Sequence, residues 1–130
     1  MKYVGKILLV DDEAHIRKYL SLIIKQLGRT TLLEAGNGEE AVIVFEREAP
    51  RVILLDVNMP RMGGIETLKR LKAIDPECVV IMLTSLANRE TVEQALENGA
   101  AGYIRKDTPK EEIAKVLTEL VEASLDSRIP

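Results

Sequence analysis

The sequence is poor in cysteine and in long apolar runs. Among its 130 residues there is one cysteine, Cys78, and one histidine, His15. A single cysteine permits no internal disulfide and no cysteine-rich metal site, which fits a reducing cytoplasm. No apolar run reaches the length of a membrane span, and the first residues lead into a strand rather than forming a signal peptide. We therefore expect a cytoplasmic protein that is neither secreted nor inserted in a membrane.

An excess of basic residues is also missing. The chain has 18 Lys and Arg against 21 Asp and Glu, a formal net charge of -3. Binding to nucleic acid needs a basic surface that neutralises phosphates, so we expect no direct nucleic-acid binding. Hydrophobic residues make up 46% of the chain, which is typical of one folded domain at this length. We expect that domain over residues 1–124, with a loosely held tail or the start of a linker at 125–130.

Short apolar runs alternate with longer segments of helical period. The predicted strands are Ile7–Val10, Thr31–Glu34, Val52–Leu55, Val79–Leu83 and Gly102–Ile104. Three of them are apolar throughout, as strands covered by helices on both faces are. Before the last helix, Thr108 is predicted as the N-cap and Pro109 as the first helical residue. The alternation predicts an α/β fold built on a parallel sheet.

Polar side chains follow four of the predicted strands directly. They are Asp11 and Asp12 after the first strand, Asp56 after the third, Thr84 after the fourth, and Arg105 and Lys106 after the fifth. In an open parallel sheet, ligands bind beyond the carboxyl ends of the strands, where the winding direction reverses. If the strand order is 2-1-3-4-5, these ends are neighbours, and three carboxylates face one hydroxyl and one ammonium.

Three clustered carboxylates repel one another, so such a site needs protons at raised pKa or a cation. Mg²⁺ is suited to this role because it takes a few carboxylates and keeps positions for water and phosphate oxygens. With that charge offset, the carboxylate of Asp56 could attack phosphorus in line, while Lys106 and the Thr84 hydroxyl contact the transferred group. The product would be an acyl phosphate.

Four segments together resemble the receiver domain of two-component response regulators, of the chemotaxis-regulator-like type. They are Leu8–Glu13, Val52–Pro60 with Gly63 and Gly64, Leu83–Ser85, and Gly102–Lys106. The resemblance runs through nearly the whole chain, and the order and spacing of the segments make it specific. It implies a flavodoxin-like (βα)5 three-layer sandwich with a parallel sheet of order 2-1-3-4-5. It also implies a signalling switch that a phosphohistidine donor phosphorylates and that loses the phosphoryl group by slow self-catalysed hydrolysis.

The resemblance also implies how the metal is held. By position, Mg²⁺ is bound by the carboxylates of Asp12 and Asp56 and by the backbone carbonyl of Asn58. Asp11 is expected to act largely through a metal-bound water. Mg²⁺ is therefore the expected cofactor.

The remaining roles follow by position in the same way. Asp56 is the expected phosphoacceptor, and Thr84 and Lys106 are the expected contacts of the phosphoryl group. Tyr103 matches the switch aromatic of the family, whose rotamer follows the movement of Thr84. The face formed by the fourth helix, the fifth strand and the fifth helix is then expected to report phosphorylation.

The expected partners are a sensor histidine kinase or a histidine phosphotransfer protein, and an unidentified output protein or effector domain. A homodimer through the reporting face is allowed on phosphorylation. The domain is expected to be a phosphoacceptor rather than an enzyme acting on other substrates.

Three other functions compete with this interpretation. A phosphatase or phosphotransferase with an aspartate nucleophile needs a second acid two residues later, where this chain has Asn58. A flavin carrier needs a phosphate-binding loop after the first strand, and the acids there would repel phosphate. A receiver that never takes phosphate would not need the intact set of Asp56, Thr84 and Lys106.

Two positions depart from, or vary within, the receiver pattern. Asp107 follows Lys106 where many receivers have a proline, often after a cis peptide bond, which leaves the geometry of this bond open. Leu86 occupies the second position after Thr84, where receivers vary. We expect Leu86 to shield the acyl phosphate partly from water.

Overall fold

Five strands alternate with five helices along the chain. A computed structural model describes residues 3–28, 30–85 and 88–126. The strands are β1 (Lys6–Val10), β2 (Thr31–Ala35), β3 (Val52–Asp56), β4 (Val79–Thr84) and β5 (Gly102–Arg105). The helices are α1 (Ala14–Lys25), α2 (Gly38–Glu48), α3 (Gly64–Ile74), α4 (Arg89–Glu97) and α5 (Lys110–Asp126). Within these residues, no helix has the length and apolar character that crossing a membrane requires.

The strands form one parallel sheet in the order β2-β1-β3-β4-β5. β1 pairs with β2 on one side and with β3 on the other, so the chain first winds one way and then reverses. The reversal lies between β1 and β3, and ligands bind at such a point in open α/β sheets. The predicted flavodoxin-like fold is confirmed.

Two apolar layers cover the sheet, because successive strand residues point to opposite faces. Leu54 packs with buried residues of α1 and α5, whereas its neighbour Leu55 packs with those of α2 and α3. All five residues of β3 are buried, including the terminal Asp56. Helices on both faces therefore fix the central strand, and its last carboxylate is held by a rigid element.

The turn from β5 into α5 differs slightly from prediction. Thr108 donates its N–H to the carbonyl of Arg105 at 3.1 Å, in the turn that follows β5. The carbonyl of Pro109 accepts from the N–H of Ile113, so Pro109 rather than Thr108 is the N-cap, and α5 begins at Lys110, one residue later than predicted. The peptide bond between Lys106 and Asp107 is trans.

Two expectations concern residues outside the described ranges. Leu86, the predicted shield of the acyl phosphate, lies outside the described residues. α5 continues to Asp126, and Leu125 packs against the layer formed with α1. Residues 127–130 are not among those described, so the predicted tail stays a prediction.

Candidate functional site

The carboxyl ends of four strands carry the predicted site residues to one edge of the sheet. Asp56 is the last residue of β3, and Thr84 is the last residue of β4. Asp11 directly follows β1, and Lys106 directly follows β5. The backbone continues this arrangement past the strands, because Lys106 donates its N–H to the carbonyl of Thr84 at 2.8 Å. Residues distant in sequence are thus neighbours in space.

Lys106 forms ion pairs with two buried carboxylates. Its Nζ lies 2.6 Å from Oδ2 of Asp11 and 3.2 Å from Oδ1 of Asp56. The Lys106 side chain is 12% exposed, and the side chains of Asp11 and Asp56 are 0% and 2% exposed. Because burial weakens screening by water and salt, one ammonium strongly influences both carboxylates.

A third carboxylate completes the acidic cluster. Oxygens of Asp11, Asp12 and Asp56 lie within 4.8 Å of one another. Asp12 is exposed, whereas the other two are buried. When all are ionised, three carboxylates against the single ammonium of Lys106 leave an excess of negative charge at the edge of the sheet.

This crowding changes the protonation of Asp56. Burial is the largest cause and the negative charge of Asp11 is the second, and together they raise the pKa of Asp56 to about 7, although Lys106 and the Asn58 N–H oppose the shift. Burial alone would lower the pKa of Lys106, but its contacts with Asp11 and Asp56 outweigh burial and raise it. Lys106 is therefore charged at neutral pH, and Asp56 is divided between its two protonation states.

Hydrogen bonds fix the two strand ends at which the buried acids lie. Asp11 donates its N–H to Ala35 at 3.2 Å, and its Oδ1 accepts from the Glu13 N–H at 2.9 Å. Oδ1 of Asp56 accepts from the Asn58 N–H at 3.2 Å. These bonds orient both buried carboxylates before any ligand arrives.

The acidic cluster fits a hard divalent cation on two observations. The carboxylate excess needs positive charge, and oxygen ligands are those that Mg²⁺ prefers. Oδ2 of Asp56 is also buried with no hydrogen-bond partner among the described residues. A buried charged oxygen without a partner is costly, so this atom is suited to a cation or a bound phosphoryl group.

The other predicted residues lie around this cluster or farther along the sheet. Asn58 is exposed, two residues beyond Asp56 in the loop before α3. Thr84 is buried, with 2% of its surface exposed, beside the strand that ends in Asp56. Tyr103 lies on the edge strand β5 and is 42% exposed, so its side chain is partly at the protein surface. The assigned roles of all these residues stay predictions.

Two contributors to this edge were not predicted from the sequence. Arg17 of α1 donates from Nη1 to the carbonyl oxygen of Asp11 at 2.6 Å. Gly64 at the start of α3 lies against the backbone of Asp56 and Val57, too close for any side chain. The sequence features that could have indicated them are a basic residue in the second turn of the helix after the acidic loop, for Arg17, and a pair of glycines after the third strand, for Gly64.

Comparisons with known proteins agree with this geometry. Residues 7–118 match the response regulator receiver domain family. The chain is 31% identical over 115 residues to the chemotaxis protein CheY of Thermotoga maritima, covering 88% of this chain and 96% of that protein. It is 36% identical over 129 residues to the probable transcriptional regulator ycf27 of Porphyridium aerugineum, covering 96% of this chain but only 53% of that protein.

A solved structure gives the same result in three dimensions. The structure of a complex of CheX, CheY, BeF3 and Mg²⁺ from Borrelia burgdorferi contains a chain that superposes with a TM-score of 0.84 and 29% identity. The match covers 90% of this chain and 89% of that one. Proteins of this family are phosphoacceptor domains that work with histidine kinases and output domains. The chain belongs to the response regulator receiver domain family, the phosphorylation-activated switches of two-component systems.

Proposed function

We propose that Asp56 accepts a phosphoryl group from a phosphohistidine donor in a reaction that requires Mg²⁺. The observation that carries the proposal is the pairing of one ammonium, Lys106, with two buried carboxylates beside a third at the sheet edge. Structural ion pairs do not need the third acid, and clustering it there costs free energy through repulsion. A site that binds Mg²⁺ and a phosphoryl group accounts for the ammonium and for all three carboxylates.

The carboxylates of Asp12 and Asp56 and the backbone carbonyl of Asn58 would hold Mg²⁺, with Asp11 acting through a water. When bound, Mg²⁺ would neutralise the excess carboxylate charge and would offset the negative charge of the phosphoryl group. Protein ligands that are few in number leave coordination positions for the phosphoryl group.

In the transfer step, a carboxylate oxygen of Asp56 forms a bond to phosphorus. The bond between phosphorus and the histidine nitrogen of the donor breaks, and the electron pair leaves with the nitrogen. The Lys106 ammonium and the Thr84 hydroxyl contact the equatorial oxygens, where charge is spread in the transition state. Hydrolysis of the acyl phosphate by water later restores the carboxylate, so the domain catalyses only its own phosphorylation and dephosphorylation.

We further propose that phosphorylation is read on the face formed by α4, β5 and α5. Leu96 of α4 and Tyr103 of β5 are 48% and 42% exposed, so each of these two elements presents an apolar side chain to solvent, and β5 leads directly to Lys106. Inward movement of Thr84 and Lys106 toward the phosphoryl group would shift the equilibrium between two conformations of this face. An output protein, an effector domain or a second copy of the chain would bind the favoured conformation.

A phosphatase or phosphotransferase acting on other substrates is not favoured. The position two residues after Asp56, where such enzymes need an acid, holds Asn58. The cytoplasmic location stays a prediction that a receiver function supports, because its expected donor is a histidine kinase.

The test is incubation of the purified protein with acetyl phosphate and Mg²⁺, followed by intact mass measurement. We expect the mass to rise by one phosphoryl group, and we expect no rise after chelation of Mg²⁺ or in Asp56→Asn. Asp75→Asn, the same change at the end of α3, should gain the group like the parent. Phosphorylation of Asp56→Asn would place the acceptor elsewhere, and an inert parent would refute the proposal.

Protons and Mg²⁺ should compete for the site because the pKa of Asp56 is raised to about 7. The carboxylate is mostly ionised at pH 8 and mostly protonated at pH 6, and only the ionised form binds the cation. We expect the Mg²⁺ dissociation constant to be about tenfold larger at pH 6 than at pH 8. Isothermal titration calorimetry at both pH values measures it, and an affinity independent of pH would contradict the assignment of Asp56 as a ligand.

A further inference from the structure

Arg17 joins the loop after β1 to the end of β2. Its Nη1 donates to the carbonyl oxygen of Asp11 at 2.6 Å, and its Nε lies 3.4 Å from Oε1 of Glu34. The Arg17 side chain is only 23% exposed. One planar guanidinium therefore contacts two chain segments at once, through two nitrogens whose relative positions are fixed.

The helix explains why Arg17 can reach this loop. The carbonyl of Glu13 accepts from the N–H groups of Ile16 and Arg17, which makes Arg17 the start of the second turn of α1. Helical side chains lean toward the N-terminus, and so Arg17 extends back over the residues that precede the helix. The Arg17–Glu34 pair also ties α1 to the edge strand.

The bonded carbonyl belongs to the peptide group between Asp11 and Asp12. The N–H of Asp11 is held by Ala35, and its Oδ1 by Glu13, so the contact with Arg17 fixes the remaining polar group of this residue's backbone. The orientation of that peptide plane sets the direction in which the Asp12 side chain extends from the backbone. Asp12 itself is exposed, so packing contributes little to its position.

We propose that Arg17 is a positioning residue for the Mg²⁺ site, orienting the Asp11–Asp12 peptide so that the Asp12 carboxylate faces Asp11 and Asp56. This inference rests on the proposed function. The charge of Arg17 taken alone predicts the opposite effect, because a guanidinium near the acids repels a cation. The sign of the change in Mg²⁺ affinity when Arg17 is removed therefore distinguishes positioning of Asp12 from repulsion of the cation.

The test is calorimetric titration of MgCl₂ into the parent, Arg17→Met and Arg17→Lys at one pH and ionic strength. We expect the Mg²⁺ dissociation constant to rise about tenfold in Arg17→Met, as with other groups that orient metal ligands. Arg17→Lys should fall between that variant and the parent, because lysine keeps the charge but lacks the two fixed nitrogens that contact Asp11 and Glu34 separately. Glu34→Gln should have a smaller effect than Arg17→Met, because the bond to Asp11 is kept.

Phosphorylation kinetics separate positioning from a general structural defect. In Arg17→Met, the Mg²⁺ concentration for half-maximal phosphorylation by acetyl phosphate should rise by the same factor as the dissociation constant. The rate at saturating Mg²⁺ should stay within about twofold of the parent, because the groups that contact the phosphoryl unit are unchanged. Arg47→Met, at the end of α2, is the matched control and should bind Mg²⁺ like the parent.

Equal or tighter Mg²⁺ binding by Arg17→Met would overturn the inference. If Arg17→Met does not fold, Arg17→Lys decides, and parental affinity in that variant would have the same meaning. A parent that binds no Mg²⁺ would instead refute the proposed function, so the two failures are distinct.

Discussion

Replacing Lys106 by Met should slow the phosphorylation of Asp56 by acetyl phosphate about a hundredfold at saturating Mg²⁺ and neutral pH. The Lys106 ammonium lies 2.6 Å from Asp11 and 3.2 Å from Asp56, so it is placed to contact a group bonded to that carboxylate. Its loss removes a fixed positive charge from the transition state. It also removes an influence that lowers the pKa of Asp56, so more Mg²⁺ is needed to displace the proton from this carboxylate. Intact mass measured against time gives the rate.

The pH dependence of the variant distinguishes this explanation from misfolding. Since the pKa of Asp56 should rise when Lys106 is removed, raising the pH from 7 to 9 at subsaturating Mg²⁺ should accelerate the variant more than the parent. Lys115→Met removes an exposed lysine from α5 and should leave the rate unchanged. A Lys106→Met rate within threefold of the parent would mean that Lys106 serves only the fold.

Much of the sheet could be predicted because each buried strand is a short apolar run. The predicted β3 ends at Leu55 and the predicted β4 at Leu83, one residue before the observed ends, because a polar residue after an apolar run indicates the start of a loop. Asp56 and Thr84 instead belong to the strands, and their polar groups are buried. A strand that carries a buried polar group at its tip breaks the apolar pattern at that residue, and pattern alone places the boundary too early.

The acidic cluster could also be predicted, because parallel strands bring their carboxyl ends to one edge. The sequence implied that the acids need protons or a cation, but not that the pKa of Asp56 is raised. That shift depends first on the burial of Asp56, which only the structure shows. The role of Arg17 depends on how its side chain folds back over the preceding loop, and no periodicity encodes that. Close backbone contacts, such as the one at Gly64, are equally invisible in the sequence.

Adding a single methyl group at Gly64 is expected to destabilise the protein by about 2–3 kcal/mol. A Cβ there would meet the carbonyl oxygen of Asp56 and would lie 2.7 Å from the Cα of Val57. These are backbone atoms, and Val57 is held by its N–H bond to Leu83 at 2.9 Å, so they cannot move aside as a flexible side chain would. Without this contact, Gly→Ala in a helix would stabilise by about 0.5–1 kcal/mol, so the sign of the change is diagnostic.

Urea unfolding of Gly64→Ala and Gly63→Ala measures the effect with a matched control. At Gly63 the nearest atom to an added Cβ is the carbonyl oxygen of Val57, at 4.0 Å, so only the weaker N-cap of α3 should matter, at about 1 kcal/mol or less. Because Gly64 also fixes the loop that carries Asn58, Gly64→Ala should bind Mg²⁺ more weakly than Gly63→Ala. If Gly64→Ala were as stable as the parent, the loop before α3 would be free to shift. The backbone of Asp56 would then not be held rigidly, which would contradict its proposed part in phosphoryl transfer.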